Sequence, residues 1–241
     1  MTSPESSARV EVHADPAQLA TAVAGEFVNR VADLQAAGDV PQVCLTGGTI
    51  AEAIHREIAR LADDSGIDWG AVDFWFGDER FVAPDSPDRN VGQARAAFLD
   101  EVGVPAHRIH EMASTADAAS VDEGAAAYAA QVPASFDILM LGVGPDGHIA
   151  SLFPGFAQLD EESALAVGVT GSPKPPPERI TLTYPALRRG ASVWFLVSGE
   201  GKSAAVAAAL GETDLHEIPA VGVLGQDETI WFLDRDAASR L

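Results

Sequence analysis

The sequence predicts an α/β fold: one domain built on a mostly parallel, doubly wound sheet with helices on both faces. Three observations carry this. Strand-like and helix-like runs alternate along the chain, the order that builds parallel sheets. Some strand-like runs, Ile138–Val143 above all, are apolar throughout, as in strands covered on both sides. Four runs end abruptly in small or charged residues, and ligands of open parallel sheets bind beyond the carboxyl ends of strands. The pattern is Rossmann-like.

"RVEVHA" (Arg9–Ala14) alternates apolar and polar residues and reads as the first strand. A helix follows, with Asp15 as N-cap, Pro16 at its first position and Gly38 as its stop. Leu19, Val23, Phe27, Val31 and Leu34 form its apolar stripe. "QVCLT" is the second strand. "TIAEAIHREIARLAD" is helical, with Ile50, Ile54, Ile58 and Leu61 toward the core. "AVDFWF" (Ala71–Phe76) is a third strand, and a helix over Asn90–Val102 follows a Pro-rich loop. "HRIHEM" reads as a short strand and "ASVDEGAAAYAAQV" as a helix. After the apolar strand come strand-like "ALAVGV", "RITLTY" and "SVWFLVSG", a helix over Gly201–Leu210, then "AVGVL" and "ETIWFL". The sharpest breaks, "VAPDSPDRN" and "GSPKPPPE", are eight or nine residues long and so are loops rather than linkers. Residues 1–241 are therefore expected to form one domain.

The net charge is −21, from 36 acids and 15 bases. Such a surface argues against nucleic acid, whose phosphates require clustered Lys and Arg. No apolar run reaches the ~20 residues of a membrane span, and "MTSPESSARV" lacks the apolar core of a secretory signal. A cytoplasmic location and a monomer or weak homodimer are expected. The terminal "SRL" resembles a peroxisomal address only by chance. Cys44 is the lone cysteine, which excludes an intrachain disulfide framework and reads as a buried, inert thiol. Only two lysines exist, Lys174 and Lys202, so each base matters to an anionic ligand; Lys174, in a Pro-rich loop, reads equally well as a surface residue.

Four strand ends are chemically distinctive. In "LTGGTIAEAI", Thr46, Gly47 and Gly48 lead into a helix, where small residues and free amides suit an anion. In "FWFGDERF", Asp78, Glu79 and Arg80 follow an apolar strand; this is either a solvated turn or a phosphate-binding arginine oriented by carboxylates. In "GVGPDGHIASLFPG", glycines clear room for a substrate beside His148, which can take a proton from water, while Asp146 can fix its tautomer. In "LVSGEGKSAAVAAAL", Lys202 opens a helix whose dipole disfavours it, a weak sign of an anionic ligand. His13, His55, His107, His110 and His216 are read as structural, and Ser151 as a structural residue at a helix start. No metal motif and no G-x-S-x-G nucleophile motif is present.

Taken in order, "LTGGT", "FGDERFVAPDSPDRN", "GVGPDGHIASLFPG", "RITLT" and "SGEGK" resemble the 6-phosphogluconolactonases, within the wider family that includes glucosamine-6-phosphate deaminase. The resemblance implies 6-phospho-D-glucono-1,5-lactone as substrate, hydrolysed in the pentose phosphate pathway without a cofactor or metal. It implies His148 as the base that activates water. Thr46, Gly47, Gly48, Asp78, Arg80, Arg179 and Lys202 would surround phosphate and sugar oxygens. Ile149 departs from the pattern, which commonly has threonine there, and removes a hydroxyl near the site. The deaminase pattern carries "FNEPG" where this chain has "SLFPG", so a catalytic glutamate is missing, and "DEY" where this chain has Asp78-Glu79-Arg80. A deaminase and a non-catalytic sugar-phosphate sensor remain the alternatives.

Overall fold

The structure, a computed structural model, describes residues 8–241. Most of the N-terminal stretch read above for an apolar signal lies outside the described residues. The strands are β1 (Arg9–His13), β2 (Gln42–Leu45), β3 (Asp73–Phe76), β4 (Asp78–Arg80), β5 (Phe136–Gly142), β6 (Ala166–Val169), β7 (Arg179–Leu182), β8 (Gly190–Val197) and β9 (Glu228–Asp234). Six of them pair in parallel in the order β1-β9-β8-β5-β2-β3. The chain leaves β2 toward β3 on one side, whereas β5, β8 and β9 run the other way. The sheet's switch point therefore lies between β2 and β5, where a crevice opens beyond the strand ends.

Side-chain alternation divides the core. Along β5, Ile138 and Met140 enter one apolar cluster, Leu139 and Leu141 the other. The first cluster holds α1 (Pro16–Ala36), α2 (Thr49–Leu61) and α3 (Asn90–Ala94). The second holds α4 (Val121–Ala129), α5 (Tyr184–Leu187) and α6 (Ser203–Ala209). The caps behave as the sequence predicts. Asp15 accepts from the Gln18 amide at 2.9 Å, Pro16 starts α1, and Gly38 leaves it at φ +94°. Leu19, Val23, Phe27 and Val31 are buried, with Leu34 half-buried at the stripe's end.

Four expectations change. Asp78–Arg80 is a strand, and it joins β7 and β6 in a second, antiparallel sheet of order β4-β7-β6. Around "HRIHEM", Ala106–Arg108 forms a 3-10 turn and only Ile109 bridges Phe74. "AVGVL" is no strand, because Pro219–Gly222 forms a 3-10 turn that brings Gly222 against the Tyr184 ring. The Asn90–Val102 helix is α-helical only to Ala94; a π-turn over Arg95–Leu99 follows, and Gly103 at φ +73° reverses the chain. Among the described residues, no helix is long and apolar enough to cross a membrane.

Candidate active site

A cavity of about 490 Å³ opens at the switch point. The turns after β2, β3, β5 and β8 converge there, together with the Pro-rich loop before β7. Thr46, Gly47, Gly48, Asp78, Arg80, His148, Arg179 and Lys202 all line it, while Asp146 stands behind His148.

The β2 turn is stitched to β5 by Thr46, whose Oγ1 accepts from the Gly142 amide at 3.2 Å. Gly48 caps α2 at φ +102° with no side-chain cap, so the first amides of that helix meet the cavity unsatisfied by protein. At Gly47, a Cβ would overlap the Asn90 amide.

In β4, two carboxylates are buried next to the half-buried Arg80. Glu79 is 1% exposed and accepts three backbone amides, from Arg80 (2.8 Å), Asn90 (2.7 Å) and Val91 (2.9 Å). Burial raises its carboxyl despite these amides and Arg89. Glu79 thus holds the start of α3 and does not reach the cavity. Asp78 accepts from Ser151 Oγ at 2.6 Å and from Asn90 Nδ2 at 3.2 Å; Arg179 lies 3.7 Å away. Arg80 in turn donates to Asn90 Oδ1. The carboxylate orients Arg80 through Asn90, an intermediary the sequence reading missed. Ser151 starts no helix and sits instead in a turn, its hydroxyl given to Asp78.

The His148 loop is a tight fold. The Gly144 amide donates to the His148 carbonyl at 2.8 Å, and Gly147 turns the chain at φ +79°. The imidazole packs on Phe153, with centroids 4.8 Å apart, and its Nδ1 hydrogen-bonds the Asp146 carboxylate. Burial pushes the Asp146 carboxyl up. The hydrogen bond and charge of His148, with Lys174 nearby, outweigh that and hold it at about 2. A Cβ on Gly144 would overlap the imidazole. That glycine therefore makes room for the histidine itself, where the sequence suggested room for substrate. Ile149 is fully buried in the cluster below the sheet and does not line the cavity. A hydroxyl there would lie in the core, contrary to the expectation that its loss is felt at the site.

Lys202 sits in a 3-10 turn before α6 and donates to the Val143 carbonyl at 2.5 Å. Arg179 gives its guanidinium to the Pro-rich loop, bonding the carbonyls of Lys174, Pro175 and Pro176 at 3.2 Å each. That loop delivers Lys174, whose Nζ stands 3.4 Å from Nε2 and 3.5 Å from Nδ1 of His148. Burial lowers both lysines, more than the Asp146 charge restores. Both lysines of the chain thus line one cavity. Their rarity was the available signal for Lys174.

The other histidines are elsewhere. His55 is buried against Phe98, which pushes it down to about 4; His110 stacks on Trp75 at 3.7 Å. Cys44 is buried, and burial pushes its thiol up, as expected for an inert residue. Among the described residues, no cluster of three or more His, Cys, Asp or Glu side chains is placed to hold a metal ion.

An open parallel sheet with a cation-lined cavity at its switch point is the architecture of α/β proteins that take small anionic ligands. Comparison with known proteins narrows this. The chain belongs to the glucosamine-6-phosphate isomerase/6-phosphogluconolactonase family, whose model matches residues 14–231. It is 43% identical to a 6-phosphogluconolactonase of Streptomyces coelicolor, over 95% of this chain and 93% of that one. It is 41% identical to a 6-phosphogluconolactonase of Mycobacterium tuberculosis, over 98% and 99% of the two chains. Among solved structures, 6-phosphogluconolactonase from Trypanosoma brucei superposes with a TM-score of 0.81 at 26% identity, covering 97% of this chain and 98% of that one. A monomeric glucosamine-6-phosphate deaminase shares the fold, with a TM-score of 0.82 at 21% identity, covering 97% and 100%.

Proposed function

We propose that the chain hydrolyses 6-phospho-D-glucono-1,5-lactone to 6-phosphogluconate, with His148 as the general base. The observation that carries this is the division of labour on one imidazole. Nδ1 is occupied by Asp146, which fixes the proton there, and Nε2 is left as the basic nitrogen on the cavity side. Water held at Nε2 gives up its proton as its oxygen bonds to C1. The carbonyl electrons move onto oxygen. Collapse then breaks the bond from C1 to the ring oxygen, which takes the proton back from Nε2. A positioned base of this kind contributes about 10²–10⁴ in rate, or about 3–5 kcal/mol. An activated ester with its phosphate anchored needs little beyond that and orientation.

Asp146 is the positioning carboxylate. The open amides of α2, with Thr46, Gly47 and Gly48, and the cations Arg80, Arg179 and Lys202 take the phosphate and sugar oxygens, with Asp78 bracing them. No cofactor or metal enters this chemistry. The deaminase alternative is disfavoured at Phe153: the position that carries a glutamate in that pattern holds a buried ring packed on the imidazole. The apolar cluster shared by both sheets supports the described residues, 8–241, acting as one unit. A cytoplasmic monomer or weak homodimer is the corresponding reading.

The test is a coupled assay with freshly made phosphogluconolactone, read against its uncatalysed decay. Product formation at the spontaneous rate, or ammonia release from glucosamine 6-phosphate, would overturn the proposal. Tight binding of 6-phosphogluconate without turnover would indicate a sensor.

A further inference from the structure

The geometry points to Lys174 as a catalytic residue in its own right: its ammonium takes the charge that develops on the C1 carbonyl oxygen of the lactone. This rests on the hydrolase reading above.

Three cations of the cavity are already engaged. Arg80 donates to Asn90. Arg179 is given to three loop carbonyls and stands beside Asp78. Lys202 is held by the Val143 carbonyl. Lys174 differs: among the described residues its Nζ makes no ion pair within 4 Å, and its only hydrogen-bond neighbours are the two nitrogens of His148. An ammonium has three donors and no acceptor. With Nδ1 turned to Asp146, the Nε2 lone pair is the one that takes the proton of water, so at most one donor of Nζ leans toward the ring and none is bonded to it during attack. Two donors of Nζ therefore remain for a ligand.

Position then assigns the end of the ligand. Water activated at Nε2 lies roughly 3 Å from it, and C1 lies roughly 3–3.5 Å from that water. The carbonyl oxygen is bonded to C1. A group 3.4 Å from Nε2 therefore stands at the C1 end of the ligand, where that oxygen becomes an oxyanion. The phosphate, at the far end of the sugar, is too distant from Nε2 to share this cation while C1 is being attacked.

The loop is built to hold it there. Ser172 Oγ accepts from the Lys174 amide at 3.2 Å and donates to its carbonyl at 2.9 Å. Arg179 grips the next carbonyls from β7. Burial and the Arg179 and Arg80 charges lower the ammonium, and Asp146 partly restores it. In the reaction Lys174 forms no covalent bond and returns unchanged: charge gathers on oxygen beside it when water adds, and leaves when the ring oxygen departs.

The experiment compares Lys174→Met with the unaltered protein in the lactone assay, with a thermal melt to check folding. The expected result is a fall in kcat of about 10²–10³, the loss typical of removing one oxyanion donor, with KM changed by less than about threefold. In Lys174→Ala, added ethylammonium should restore part of kcat saturably. A kcat that holds while KM rises, with weaker inhibition by glycerol 3-phosphate, would put the ammonium on the phosphate and overturn the assignment. So would a folded Lys174→Ala protein that loses kcat and gains nothing from the amine, since that marks a role in holding the loop. Failure of the unaltered protein to hydrolyse the lactone would instead sink the hydrolase reading.

Discussion

His148 and His216 share a local design and differ in one respect. Each follows an aspartate by two residues, in "DGH" and "DLH", and each binds that aspartate through Nδ1. In His216 the second nitrogen is also taken, by Asp160 at 2.9 Å, and the ring is an exposed clasp between two loops. In His148 the second nitrogen is on the cavity side, with the Lys174 ammonium as its neighbour. An imidazole satisfied on both nitrogens is a strut. One satisfied on a single nitrogen can act as a base. Spacing alone does not separate the two cases; the glycines around His148 do.

The sharpest break of this comparison is His148→Ala. It should lower kcat by about 10²–10⁴ with little change in KM, while His216→Ala keeps kcat within about twofold, both read above spontaneous decay. Next is Asp146→Asn. With the tautomer no longer fixed, kcat should fall on the order of 10²-fold and KM should stay nearly constant. Because the Asp146 carboxyl is depressed to about 2, the stability it contributes is present above about pH 4 and lost as pH falls through about 2. Asp146→Asn should therefore alter unfolding curves through that acid window and leave their slope with pH unchanged near neutrality. Gly144→Ala comes third. Its methyl group would displace the imidazole, so kcat should drop at least about tenfold with the fold retained, since a 1 Å misplacement can cost 10². The smallest effect belongs to His216. Its hydrogen bonds to Asp160 and Asp214 raise it, so its contribution is complete below about pH 6.5 and fades as pH climbs through the raised value. An NMR titration should show His216 losing its proton above the ordinary histidine range, and Asp160→Asn should bring it back down.

The sequence made the parallel sheet and three of its site loops legible for physical reasons. Apolar strands, capped helices and glycine breaks are local signals, and Asp15, Pro16 and Gly38 do what their chemistry requires. What escaped was non-local. Asp78-Glu79-Arg80 left a solvated turn as open as a binding arginine, because three charges in a row rarely sit inside. They do so here only because Asn90, Ser151, Arg179 and the amides of α3 satisfy them from across the chain. "AVGVL" has the composition of a strand, but Pro219 turns it and Tyr184 fills the space beside Gly222. Lys174 read equally well as a surface residue and as a base for an anionic ligand, since nothing local states that Arg179 draws its loop over the cavity. Ile149 illustrates the opposite error: adjacency to His148 suggested proximity to substrate, and a positive φ at Ala150 helps turn the chain so that Ile149 faces the core.

The small β4-β7-β6 sheet carries a consequence of its own. Its central strand supplies Arg179, its edge strand supplies Asp78, and between them they fasten the segment that presents Lys174. Exchanges in that sheet that leave every reacting group in place should still register in turnover. A hydrolase of this design can be retuned from its scaffold, with the chemistry untouched.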